Sequence, residues 1–169
     1  MSVAFEDALA ASVATTLRSA RALGVALESV DLPATPSIAR AVQAEENRWR
    51  SIEAEFGLLS SLEVGELLGS RSSNPRSAAS DRHRAGKLLG VRRGRETRYP
   101  GFQFSHGTVL PVIADLVALA RRHQWSEQEL ALWLIAPTGW LDDRRPVDVL
   151  AADSDAVLAA ADAKFTTQW

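Results

Sequence analysis

Cysteine is absent from the 169 residues, which excludes disulfides, thiolate metal sites and a cysteine nucleophile. A reducing compartment, the cytoplasm, is the expected one. No basic stretch opens the chain, and Glu6 and Asp7 arrive early, so no secretory leader is expected. The longest apolar run, Val109 to Ala120, reaches only about two-thirds of a membrane span and carries Asp115 in its middle. No repeat of solenoid period is visible. The three histidines, His83, His106 and His123, lack metal-ligand spacing, and no nucleophile elbow, P-loop or zinc-protease helix motif occurs. Neither metal nor cofactor nor enzymatic activity is therefore expected. What remains is an ordinary globular composition, 46% apolar and 24% charged, in a chain long enough to bury a core.

The formal net charge of -2 hides a segregated distribution. Residues 1–70 hold five arginines and ten acids, and residues 99–169 hold five basic and nine acidic residues. Between them, residues 71–98 carry nine cations (Arg71, Arg76, Arg82, Arg84, Lys87, Arg92, Arg93, Arg95, Arg98) against Asp81 and Glu96, a local balance of +7. Such a block is the footprint of a polyanion partner; the plainer alternative is a solvated basic surface.

Residues 3–30 repeat apolar side chains every three or four positions, which predicts a helix. Two prolines, Pro33 and Pro36, break the pattern. Ser37 opens a second helix with the stripe Ile38, Val42, Trp49, Ile52 and Phe56. The pair reads as an antiparallel helical hairpin, whose stripe is either core or a dimer interface.

Leu58-Leu59 predicts a short strand. Ser60-Ser-Leu-Glu63 reads as a capping box opening a helix from Ser61 to Leu68, with Leu62, Val64, Leu67 and Leu68 as burial candidates. Gly69 closes it, and Asn74-Pro75 starts the next helix, running to about Leu88. At ~100° per residue, Arg76, Ser80, His83 and Lys87 share one face, with Arg84 beside them and Ala78, Ala85 and Leu89 opposite. A narrow rod with donors on one side and small residues on the other suits the major groove. Leu88 to Val91 and Thr97 to Phe104 then read as strands around Arg92-Arg93-Gly94-Arg95-Glu96. Gly94 supplies the positive φ of a tight turn, and the arginine-loaded tip is a wing that places Arg92, Arg93 and Arg95 beside phosphates or in a minor groove.

The last third predicts helices over Val109 to His123, from a second capping box (Ser126 to Glu129) through Leu134, and from about Ser154 to Phe165 with Asp153 as cap. Trp133, Pro146, Val147 and Leu150 read as core. Trp140 and Trp169 are large apolar anchors of the kind that dominate interfaces.

Two family resemblances follow from these residues. Leu58-Leu-Ser-Ser-Leu-Glu-Val-Gly-Glu-Leu-Leu-Gly69 resembles the opening helix of MerR- and excisionase-type winged helices, with Arg71-Ser-Ser-Asn74 in place of that family's short turn. Trp133, Leu134, Pro137, Leu141, Arg145, Pro146, Val147, Asp148, Val149 and Leu150 resemble the C-terminal toxin-binding domain of the Xre, MbcA and ParS antitoxins, with Asp143 where that family usually has glycine. The second resemblance covers about 45 residues. It implies a type II toxin–antitoxin system with a RES-type toxin acting on NAD⁺, met through Trp140, Leu141, Arg144, Arg145, Asp148, Lys164 and Trp169.

The expected fold is mainly α. It comprises a helical hairpin over residues 1–56, a winged helix-turn-helix with a small β-hairpin over 57–105, and a small helical domain over 106–169. The expected function is an antitoxin that binds operator DNA and a cognate toxin, as a homodimer. The alternative is a stand-alone winged-helix regulator whose C-terminal segment serves dimerisation or another protein contact. DNA contacts are expected from Arg71, Arg76, Ser80, His83, Arg84, Lys87, Arg92, Arg93, Arg95 and Arg98.

Overall fold

The computed structural model describes residues 36–69 and 74–167. The first helix of the expected hairpin, Arg71 and Trp169 lie outside the described residues. The fold is mainly α with small antiparallel sheets, as the sequence predicts. The chain divides into two compact units, 1–47 and 48–169.

In the first unit, residues 36–47 form the beginning of helix α1 (Pro36–Phe56), with Ile38 and Val42 exposed. The second unit takes the remainder of α1. There Trp49 and Ile52 are fully buried, and Phe56 meets Phe102 edge-on at 5.6 Å. Three of the five predicted stripe residues therefore enter the core of that unit and two face solvent.

β1 (Leu58–Leu59) leads into α2 (Ser61–Leu67), whose capping box forms as expected: the Ser60 hydroxyl accepts from the Glu63 amide at 3.3 Å, and the Glu63 carboxylate accepts from the Ser60 amide at 2.7 Å. Of the four burial candidates only Val64 is fully buried; Leu62 and Leu67 are exposed. A short helix can press only one side on its neighbours, and here Gly65 lies on that side. A Cβ at Gly65 would run into the Pro75 carbonyl, so α3 (Pro75–Arg84) starts directly against the α2 backbone. Pro75 takes the first helical position, but the Asn74 side chain makes no cap bond.

β2 (Val91–Arg93) and β3 (Glu96–Pro100) form the predicted hairpin, and β1 adds to its far edge in the order β1–β3–β2. Arg92 faces Thr97 and Arg93 faces Glu96, leaving a two-residue turn with Gly94 at φ +61°. Leu88 to Gly90, expected in the first strand, lie outside it. Instead the fully buried Gln103 amide takes the place of a strand neighbour: its oxygen accepts from the Leu89 amide at 2.8 Å and its nitrogen donates to the Leu89 and Pro100 carbonyls. The second predicted strand is likewise interrupted at Pro100 by a 3₁₀ turn, Gly101–Gln103. β4 (Phe104–Ser105) then pairs with β5 (Thr108–Val109) across His106 and Gly107, both at positive φ.

Pro111 precedes α4 (Val112–Arg122), so the helix starts after Val109 rather than at it. α5 (Glu127–Leu134) carries the second capping box, with Ser126 and Glu129 paired reciprocally. A 3₁₀ turn (Gly139–Leu141), α6 (Pro146–Val149) and α7 (Ser154–Thr166) complete the unit, and the Asp153 carboxylate accepts from the Ala156 amide at the start of α7.

Two apolar clusters hold this unit. Val64, Ala79, Leu88 and Tyr99 join α2, α3 and β3. A larger cluster runs from Trp49 and Ile52 through Leu89, Val91 and Phe102 to α4, α5 and α7, where Phe165 lies against Trp125 at 4.1 Å and meets Trp133 edge-on at 5.6 Å. The base of the wing and the C-terminal helices therefore share one core. Among the described residues, no helix is long and apolar enough to cross a membrane.

Candidate nucleic-acid interface

α3 ends sooner than its periodicity suggests. Gly86, at φ +72°, closes a Schellman motif in which its amide donates to the His83 carbonyl and the Lys87 amide donates to that of Arg82. Lys87 consequently leaves the face of Arg76 and lies with Arg82 at a separate depression beside Leu68 and Val109. The buried side of α3 is also shifted: Ala79 is fully buried, Ala78 half-buried and Ala85 exposed.

The opposite side of α3 faces the wing across a groove of about 810 Å³. Arg76, Ser80, His83 and Arg84 line it from the helix, and Arg92, Arg95, Glu96 and Thr97 line it from the hairpin. Strand alternation sorts the wing arginines. Arg92 and Thr97, directly opposed, share the groove face, whereas the Arg93 guanidinium lies 5.1 Å from the Trp49 ring centroid in a cation–π contact. Arg98 donates to the Glu96 carboxylate at 2.6 Å. Among the described residues, no carboxylate lies within ion-pair distance of Arg76, Arg92 or Arg95. The Arg84 guanidinium is well exposed and meets Asp81 at 3.0 Å.

The groove also receives Arg121, from the last turn of α4, and Glu127, from the first turn of α5. Neither residue is marked for this groove by any pattern in the sequence. Glu127 is mostly buried and accepts three hydrogen bonds: from the His83 ring at 2.9 Å, from the Gly90 amide at 2.8 Å and from Arg121 at 3.0 Å. Burial is the largest single influence on its carboxyl and pushes it up. The bonds from His83, Gly90 and Arg121 together outweigh that and hold it below the usual carboxylate range. His83, expected to point outward to DNA, turns its ring toward Glu127 and packs edge-on against Tyr99 at 5.9 Å. A Cβ at Gly90 would meet that imidazole at 2.8 Å, so only glycine allows the approach. In the sequence, Glu127 stands out only as a residue inside the second capping box, which gives no sign of this role.

The residues matched to the antitoxin pattern divide sharply. Leu141, Pro146, Val149 and Leu150 are buried. Arg145 places both terminal nitrogens on Glu55 at 2.7 and 2.8 Å and meets Asp148 at 2.6 and 2.8 Å. The hydrogen bond from Arg145 holds the Glu55 and Asp148 carboxyls below their usual range. Arg144 donates to the Leu141 carbonyl, and its backbone bridges to Thr138. Asp142 and Asp143 both adopt left-handed backbone, at φ +55° and +59°, a conformation natural to the glycine of the antitoxin pattern at the second position. Trp140 stands out from this loop at 58% exposure, and Lys164 is exposed on α7.

Neither family models nor curated proteins match the chain. Among solved structures, the chain is similar to the NMR structure of Rv2175c, with 27% sequence identity, a TM-score of 0.57, and coverage of 65% of this chain and 82% of that one.

Proposed function

We propose that this protein is a winged-helix regulator that binds duplex DNA with α3 and the β2–β3 hairpin. The observation that carries the reading is the convergence of Arg76, Arg84, Arg92, Arg95 and Arg121 on one groove, three of them without a carboxylate partner among the described residues. α3 is a ten-residue rod that presents Arg76 at its N-terminal end, the end that recognition helices direct at base edges, with Ser80 one turn further along the same face. The hairpin tip brings Arg95 to the backbone or the minor groove. Such a protein acts in the cytoplasm on its operator, and a homodimer on a palindromic site is the usual assembly.

The test is fluorescence anisotropy with a duplex taken from upstream of the protein's own gene. Contact with about five phosphates gives log K falling against log salt with a slope near -4 to -5. Absence of binding at low salt rejects the reading.

A second reading, an antitoxin that also neutralises a RES-type toxin, is favoured by one observation: Trp140 is exposed on the loop matched to the toxin-binding pattern. Co-expression with the neighbouring gene tests it. Failure to form a complex and to restore growth removes this reading and leaves the DNA reading intact.

A further inference from the structure

α3 packs closely on α2 through small residues, with Ala79 fully buried and Pro75 against Gly65, whereas its opposite side faces the open groove. The setting of its groove side therefore depends on what holds the side chains that point there. A turn of about 20° moves a side-chain head roughly 6 Å from the axis by about 2 Å, enough to break a hydrogen bond to a base edge. One short hydrogen bond, from His83 to Glu127, restrains that rotation from the groove side, and two more, from the Gly90 amide and Arg121, anchor the carboxylate that accepts it. Glu127 holds His83 on α3, the Gly90 amide at the root of β2, and Arg121 on α4. The recognition helix, the wing and the shared core thus meet at a single buried acid.

We propose that Glu127 is the positioning residue for sequence discrimination: it fixes the rotation of α3 and the spacing of α3 from the wing, and does so without itself touching DNA. The proposal rests on the DNA-binding reading above. It also runs against simple electrostatics. An acid in a basic groove repels phosphate, so removing its charge should raise affinity for any duplex. Positioning instead predicts that affinity and discrimination separate.

The experiment compares the full wild-type chain with Glu127→Gln on two probes, a duplex that the wild type selects from a random-sequence pool and a random-sequence duplex of equal length. The expected result is that the ratio of the two affinities falls about tenfold, the scale of a broken hydrogen bond to a charged group, while affinity for the random duplex stays level or rises. A merely structural role lowers both affinities together and leaves the ratio alone. His83→Gln cuts only the α3 arm and is expected to lower the ratio in the same direction by a smaller factor, which keeps the test valid if Glu127→Gln fails to fold. An unchanged ratio in the folded variants overturns the proposal. A wild-type chain that selects no sequence overturns the DNA reading, and this inference with it, which is a distinguishable outcome.

Discussion

The groove arginines and Arg145 carry the same side chain into opposite situations. Arg145 has its Nε and both terminal nitrogens committed to Glu55 and Asp148, so the loop before α6 is locked to the end of α1. Arg76, Arg92 and Arg95 look across an open groove with no carboxylate within ion-pair distance among the described residues. Both groups arise from arginine-dense sequence. What separates them is the placement of acids: Asp148 follows Arg145 by one helical turn, and Glu55 reaches it from 90 residues away. One guanidinium is therefore structural and the others are available to a ligand.

The sharpest way to break this contrast is to neutralise each side in turn. Replacing Arg76, Arg92 and Arg95 together with glutamine should reduce the magnitude of the salt slope by about 2.7, or roughly 0.9 for each phosphate that is no longer neutralised, with little change in thermal midpoint. Gel shifts across a salt series measure the first and circular dichroism the second. Arg145→Met should do the reverse, lowering Tm by a few degrees while leaving the salt slope of the folded protein unchanged. An altered slope would mean that Arg145 also meets DNA.

Acid provides a milder probe. Glu55, Asp148 and Glu127 all have carboxyls held below their usual range in the folded chain. Each therefore adds stability that is fully present above its unfolded pKa, about 4, and is lost as the pH falls through the lower folded value. Denaturant midpoints should decline through that acid window, and the decline should be shallower in Arg145→Met, where two of the three carboxyls lose their partner. The smallest effect is expected for Trp140→Ser. At 58% exposure its loss should change stability by under about 0.5 kcal/mol, and a pull-down with the neighbouring gene product shows whether the indole serves a partner.

Much of the local architecture is legible in the sequence because it is written in short-range chemistry. Both capping boxes, the Gly94 turn, the Asp153 cap and the proline start of α3 depend on residues within four positions of one another. The helix face bearing Arg76, Ser80 and Arg84 follows from periodicity alone. Periodicity misleads where a local stop intervenes: Ala85-Gly86 ends α3 before Lys87, and Gln103 replaces a backbone partner with a side-chain amide. The features most consequential for the site are not legible, because they join distant positions. His83 and Glu127 are 44 residues apart, as Arg145 and Glu55 are 90. No pattern within either segment signals that they meet.

The apolar cluster that spans wing and C-terminal helices bears on how this protein can change over evolution or in engineering. Leu89, Val91 and Phe102 are completed on their inner side by residues from α4, α5 and α7. The segment carrying α3 and the hairpin is thus not a cassette that recombination can move intact into another chain. A fragment limited to residues 57–105 would leave those side chains in water and lose the Glu127 carboxylate bonded to His83 and the Gly90 amide. Changes on the groove face can be made without touching that cluster, whereas changes to Leu89, Val91 or Phe102 reach the helices behind it.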